Sequence, residues 1–167
     1  MNTPIITPAG HSEIPIIRAM AGVVFYDTYR LILSPEQLDY MYDMMYAEES
    51  LQRQIDSGHR FFIAYVDDIP AGFVSIERQS ERLVHLQKLY VMPAYQHAHI
   101  GRRLIERAFD EARALTTDGH CRVELNVNRQ NEALDFYTHI GMRIASSGDF
   151  AIGNGYYMND YIMAIDL

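Results

Sequence analysis

Residues Leu83 to Leu115 read LVHLQKLYVMPAYQHAHIGRRLIERAFDEARAL, and this stretch decides the fold. Its first part is rich in β-branched, aliphatic and aromatic residues and stops at Pro93, which predicts a buried strand. Its last part places Ile100, Leu104, Ile105, Ala108, Ala112 and Leu115 on one helical face. Arg102, Arg103, Glu106, Arg107, Asp110 and Glu111 fall largely opposite, the pattern of an amphipathic helix. Between the two lies a short polar turn with Gly101 at the helix start. Unpaired backbone N–H groups and the positive end of the helix dipole therefore point out beyond the end of the strand, and such a place binds phosphate.

Working outward, IIT near the N-terminus predicts a first strand ended by Pro8 and Gly10. Ser12 and Glu13 open a helix to about Arg30, and Ser34-Pro35-Glu36 opens another to about Asp56, with a cap followed by proline at the first helical position. The second carries Tyr40, Met41, Tyr42, Met44, Met45 and Tyr46. Helical spacing buries only some of these, so the rest cover a neighbouring element or line a cleft. After Ser57-Gly58, RFFIAYV reads as a strand, Asp67-Asp68 as a turn and GFVSIE as the antiparallel partner. Polar ERQSER leads into the strand already described. Beyond the amphipathic helix, Thr117-Asp118-Gly119 breaks the chain and CRVELNV alternates as a strand. A short helix from about Glu132 to Ile140 stops at Gly141, where a left-handed cap suits glycine. Two last strands flank the turn IGNG. The expectation is a mixed α/β fold with a mostly antiparallel central sheet flanked by helices, one domain over residues 1–167, without repeats or linkers.

Composition narrows the function. At 167 residues, 49% hydrophobic and 22% charged, the chain has the make-up of a folded globular protein. A net charge of −8 speaks against nucleic-acid binding, which needs a clustered basic surface, and mildly favours cationic substrates such as amines. It also serves solubility alone. The single cysteine, Cys121, excludes an internal disulfide and reads as a small buried hydrophobe. Without a signal-peptide pattern or an apolar run long enough to span a bilayer, a cytoplasmic protein with no membrane partner is expected.

The stretch LYVMPAYQHAHIGRRLIERA resembles the strand-loop-helix of the GNAT superfamily of acyl-CoA-dependent N-acyltransferases, whose signature is Gln/Arg-x-x-Gly-x-Gly/Ala. Gln96 and Gly101 match its ends. His99 stands at its first glycine, and His97 where a further glycine is often seen. A second piece, VNRQNEALDFYTHIGM, is similar to the family's Val-Asn-x-x-Asn, Ala-x-x-Phe-Tyr and Gly-Met elements through Val127, Asn128, Asn131, Ala133, Phe136, Tyr137, Gly141 and Met142. The spacing from Asn131 to Ala133 is one residue shorter than the most frequent form. The resemblance runs from about Pro4 to the C-terminus and is weakest over the first two helices.

The resemblance implies an N-acetyltransferase that moves an acetyl group from acetyl-CoA to a primary amine on a small molecule or peptide by direct attack. The alternative is a GNAT-like domain that binds acyl-CoA without turnover. The turn Gln96, His97, Ala98, His99, Ile100, Gly101 and Arg102 would hold the pyrophosphate with backbone N–H groups, Asn131 and Phe136 would complete the site, and the pantetheine arm would lie along Leu89, Tyr90 and Val91 where that strand parts from CRVELNV. A backbone N–H there would face the thioester oxygen. Tyr137 holds the position of the general acid that protonates the departing thiolate.

The base stays open. In polyamine-type relatives a glutamate occupies the place of Gln87, which cannot accept a proton. His85 lies two residues earlier on the same strand face and is the first candidate, acting directly or through water, with Glu77 and Glu124 as competitors. His97 and His99 are two ligands without a third, so no metal site is expected. Tyr157, Asp160 and Tyr161 in the last hairpin, and Tyr26 and Tyr29 in the first helix, are further candidates for the acceptor side. The acceptor is not legible, and since dimers are frequent in the superfamily a homodimer is one expectation. No Gly-Lys-Ser/Thr follows the turn, which disfavours a nucleotide hydrolase.

Overall fold

The structure is a computed structural model describing residues 2–96 and 98–167. In chain order it contains β1 (Ile5–Ala9), α1 (Ile14–Tyr29), α2 (Pro35–Tyr46), α3 (Glu48–Asp56), β2 (Arg60–Val66), β3 (Ile69–Ser80), β4 (Leu83–Val91), α4 (Ile100–Ala114), β5 (Arg122–Asn128), α5 (Ala133–Ile140), β6 (Arg143–Gly153) and β7 (Tyr156–Asp166). The strands form one sheet in the order β1-β2-β3-β4-β5-β7-β6. Every neighbouring pair is antiparallel except β4 with β5. The mixed, mostly antiparallel α/β sheet read from the sequence is the one the chain adopts. No helix among the described residues is long and apolar enough to cross a membrane.

Each face of the sheet carries its own core. On one face α4 buries Ile100, Leu104, Ile105, Ala108, Phe109 and Ala112 against Val74, Ile76, Val84, Leu86, Val123 and Leu125. On the other, α1, α2 and α3 bury Ile17, Phe25, Met41, Tyr46 and Leu51 against Phe61, Ile63 and Phe73. At roughly 25 cal/mol per Å² of apolar surface, these two layers supply most of the drive to fold.

Two elements differ from the sequence reading. The helix expected over 34–56 is two helices, because Ala47 takes an extended conformation (φ −56, ψ 147). The carbonyls freed at the break are satisfied by side chains: Ser50 Oγ donates to Met44 O at 2.6 Å, Gln54 Nε2 to Met45 O at 2.9 Å and Arg18 Nε to Tyr46 O at 2.9 Å. The kink lets the Tyr46 ring enter the core at 0% exposure. Pro8 does not end β1 but lies within it, opposite Phe62, as an edge strand permits.

One cation enters this second core. Lys88 is 7% exposed, donates to Gln54 Oε1 at 2.7 Å and lies 5.6 Å from the ring centres of both Tyr46 and Phe61. Burial lowers its pKa to about 8, against a smaller opposing pull from Glu77. Between that value and its unfolded pKa, the unfolded chain binds the extra proton, so stability rises with pH across this window. Tyr29, Tyr46, Tyr90 and Tyr137, whose pKa values burial raises, act oppositely: above roughly pH 10 their unfolded forms ionise first and stability falls. Chemical denaturation should therefore show stability climbing from about pH 8 and turning over near about pH 10. Lys88→Met should be the more stable protein at neutral pH, by on the order of 2 kcal/mol, and should lack the climb. A climb that survives in this variant would exclude Lys88 as its source.

Candidate active site

β4 and β5 run side by side only where Leu83 to His85 face Arg122 to Glu124; beyond that their ladder ends and the strands part. A bulge helps. Ser75 faces Lys88 and Ile76 faces Leu86, leaving Gln87 as the extra residue of β4, and a bulged strand bends. The gap opens into a cleft of ≈ 950 Å³ lined by Leu86 to Val91 of β4, Leu125 to Val127 of β5, the start of α4, the segment Gln130 to Ala133 before α5, and the end of α1.

At the mouth, Gln96, His99, Gly101 and Arg102 line the cleft. The first turn of α4 leaves the amides of Ile100, Gly101 and Arg102 without a backbone acceptor among the described residues, while Arg103 N donates to His99 O at 3.2 Å. The dipole of this 15-residue helix adds positive potential at the same point. His99 sits at the cap in the left-handed region (φ 58, ψ 21), where the resembling family has glycine. Non-glycine residues hold that conformation at a cost of about 1–2 kcal/mol. His99→Gly should relieve it, but glycine's extra freedom in the unfolded chain returns about 0.4–1 kcal/mol. Stability should then rise by no more than about 1.6 kcal/mol in thermal melts. Coenzyme A affinity should hold or improve; marked weakening would show that the imidazole itself contacts phosphate.

Leu89, Tyr90, Val91, Asn131, Phe136 and Tyr137 also line the cleft. Ala98 packs on the core beside α4 and Ile100 is 1% exposed within it, so neither side chain reaches the cleft. His97 lies outside the described residues. Tyr137 is 7% exposed and stacks edge-on against Phe136, ring centres 5.4 Å apart. Burial pushes its phenol well above the usual tyrosine pKa. Two more phenols stand beside it: the Tyr29 and Tyr90 hydroxyls are 3.4 Å apart, and Asn131 Nδ2 donates to Tyr29 at 3.4 Å. Both phenols are likewise held protonated by burial.

The base candidates are arranged differently. His85 does not line the cleft; its Nε2 lies 3.0 Å from Asn126 Oδ1, and its Nδ1 is enclosed without a partner among the described residues. Asn126 Nδ2 donates to the Asp160 carboxylate at 3.3 Å, which turns its oxygen toward His85 and assigns the proton to His85 Nε2. Glu77 receives Gln87 Nε2 at 3.0 Å and Gln79 Nε2 at 3.3 Å, and its second oxygen lies 3.1 Å from His59 Nε2. Glu124 pairs with Arg122 at 3.5 Å. Because a carboxylate only accepts, the bond from Gln87 to Glu77 leaves the Gln87 amide oxygen for the cleft.

Of the other tyrosines, Tyr29 lines the cleft, Tyr26 donates to Asp39 at 2.7 Å instead, and Tyr161 packs on the α4 side of the sheet. Asn126, Gln130 and Glu132 are cleft residues that the sequence reading did not single out; the only signal was Asn126's place on the polar side of an alternating strand. Among the described residues no three His, Cys, Asp or Glu side chains are grouped to hold a metal ion.

Residues 32–156 match the family model described as an acetyltransferase (GNAT) domain. An uncharacterized N-acetyltransferase of Mycobacterium tuberculosis is 33% identical over 98 residues, covering 58% of this chain and 60% of the relative. The chain thus spans less than two thirds of that relative's length. An uncharacterized N-acetyltransferase of Lactobacillus delbrueckii subsp. lactis is 25% identical over 158 residues, 89% of this chain and 90% of the relative. The crystal structure of the PaiA N-acetyltransferase of Thermoplasma acidophilum in complex with coenzyme A superposes with a TM-score of 0.83 at 22% identity, covering 99% of this chain and 100% of that one.

Proposed function

The chain belongs to the GNAT acetyltransferase family, and from that premise we propose that it catalyses transfer of an acetyl group from acetyl-CoA to a primary amine by direct attack. One observation carries the reading: the amide-bearing start of α4 and the Tyr137 phenol line a single cleft at the point where β4 and β5 separate.

The residues present fit the co-substrate. The diphosphate would sit on the amides of Ile100, Gly101 and Arg102 in the first turn of α4, with the Arg102 guanidinium adding charge. The edge of β4 from Leu89 to Val91, unpaired on the β5 side, would take the amides of the pantetheine arm as an added strand. Acetyl-CoA supplies an activated acyl thioester. A backbone N–H near Leu89 to Val91 polarises its carbonyl, the amine nitrogen forms the new C–N bond and the C–S bond breaks. Tyr137 gives its proton to the thiolate sulfur, whose basicity the same burial raises, and the phenolate left behind takes back the proton that the attacking nitrogen sheds as it becomes the amide.

The amine must arrive neutral. His85 is a positioning residue in this scheme, holding Asn126 through its Nε2 proton while its lone pair faces the interior. The Gln87 amide oxygen receives an N–H of the amine, and water in the cleft removes the ammonium proton.

The test is release of free coenzyme A thiol from acetyl-CoA, with mass spectrometry of the amine product, across a panel of primary amines. Acceptor-dependent thiol release with N-acetylated product is expected. Coenzyme A binding with no release for any amine would make the chain a non-catalytic acyl-CoA-binding domain instead.

A further inference from the structure

A second, smaller chamber of ≈ 20 Å³ adjoins the cleft, with Tyr29 in the wall of both. Its lining includes Gln37, Met41, Asn128, Tyr157 and the carboxylate-bearing Asp160, and no lysine or arginine. Asp160, on β7 opposite Asn128, is 2% exposed.

This carboxylate is buried without a cation. Its side chain accepts from the neutral amide of Asn126 at 3.3 Å, and it forms no salt bridge among the described residues. Arg129 is the nearest guanidinium, but it reaches only the Asp160 main-chain oxygen at 3.4 Å. Its other bonds go to Ser147 Oγ at 3.1 Å, Gly148 O at 3.0 Å and the Asp149 carboxylate at 2.6 Å. Burial raises the Asp160 pKa despite the Asn126 bond and the Arg129 field. An ionised carboxylate left this way bears a desolvation cost that a counter-ion would offset.

The surroundings complement an ammonium group. The chamber holds about one water-sized group. Gln37 Nε2 is committed to Tyr157 O at 2.8 Å, so its amide oxygen stays available as an acceptor. The rings of Tyr29 and Tyr157 suit a cation. Asn126, which holds Asp160, itself lines the main cleft, so the Asp160 carboxylate and that cleft share the face of the sheet away from α4.

We propose that Asp160 docks a second cationic group of the acceptor, so that the preferred substrates are amines carrying another positive charge, such as α,ω-diamines, acetylated at the amine that reaches Tyr137. This rests on the amine-acetyltransferase reading. The negative charge of the whole chain, −8, draws such polycations toward the cleft.

The experiment compares tetra-, penta- and hexamethylenediamine, each with the n-alkylamine of equal length. Calorimetry measures binding to the coenzyme A complex, and thiol release measures turnover, for wild type and Asp160→Asn. The best diamine should bind at least about tenfold more tightly than its alkylamine, and Asp160→Asn should bring that ratio close to one. Equal binding of every diamine and its alkylamine by wild type overturns the proposal, as does a ratio untouched by the substitution. Should the variant not fold, the wild-type ratio alone decides. Selective diamine binding without acetylation would remove the transferase reading and leave this site standing. Acetylation of diamine and alkylamine with equal kcat/KM would do the reverse.

Discussion

Tyr137→Phe should lower kcat by about 10²–10³-fold while shifting coenzyme A affinity by less than about twofold, the size of effect that general acids contribute. The substitution deletes one oxygen and keeps the ring, which packs on Phe136 and within the α4 core, so thermal stability should stay near wild type. The neighbouring phenols provide the control. Tyr29 and Tyr90 share a hydrogen-bond network with Asn131, so Tyr29→Phe should cost much less in kcat if Tyr137 is the proton donor. Burial also raises the Tyr137 pKa, so the acid should not titrate away at moderately alkaline pH. The wild-type kcat profile should lack a basic limb below about pH 10. Turnover that survives in Tyr137→Phe would move the acid role elsewhere.

Gly72→Ala should be strongly damaging for so small a substitution. A Cβ on Gly72 would lie 2.7 Å from the Tyr90 carbonyl oxygen, 3.3 Å from Val91 Cα and 3.1 Å from Leu104 Cδ1. Leu104 can turn aside, but the two main-chain atoms cannot. Gly72 is ladder partner to Val91, and Met92 N donates to Ala71 O at 2.8 Å just beyond it. The methyl therefore pushes the end of β4 outward. Overpacking of this kind costs about 1–3 kcal/mol. At about 2–4 °C per kcal/mol for a chain of this size, the melting temperature should fall by several degrees. The displaced residues are Tyr90 and Val91 of the cleft wall, so coenzyme A should also stabilise the variant less than it stabilises wild type. A variant that melts with wild type and keeps the full shift with coenzyme A would show that β4 is not pinned there.

The legible parts of this protein were the local ones. The β4–turn–α4 unit, the Asp67-Asp68 hairpin and the short helix ending at Gly141, which has φ 110, depend on periodicity and turn chemistry within a few residues. Residues 34–56 keep helical spacing throughout, so the sequence predicts one helix where the structure has two. The break at Ala47 is held by Arg18, from another helix, as well as by Ser50 and Gln54. Sequence spacing put His85, the first base candidate, and Gln87 on one strand face. Their environments diverge because Asn126 of β5 engages one and Glu77 of β3 the other.

By itself, then, the amino-acid order determined the mixed α/β architecture, the helix start with its exposed amides, and the likeness to an acyltransferase family. Each follows from patterns that repeat over two to four residues or from a short contiguous motif. Only the tertiary structure decided where β4 leaves β5, which tyrosines meet, and that Asp160 is buried without a counter-ion among the described residues. The Asn131–Tyr29 bond spans 102 positions and the Asn126–Asp160 bond 34, and such encounters are set by the register and packing of separate strands and helices. Local composition does not encode them residue by residue.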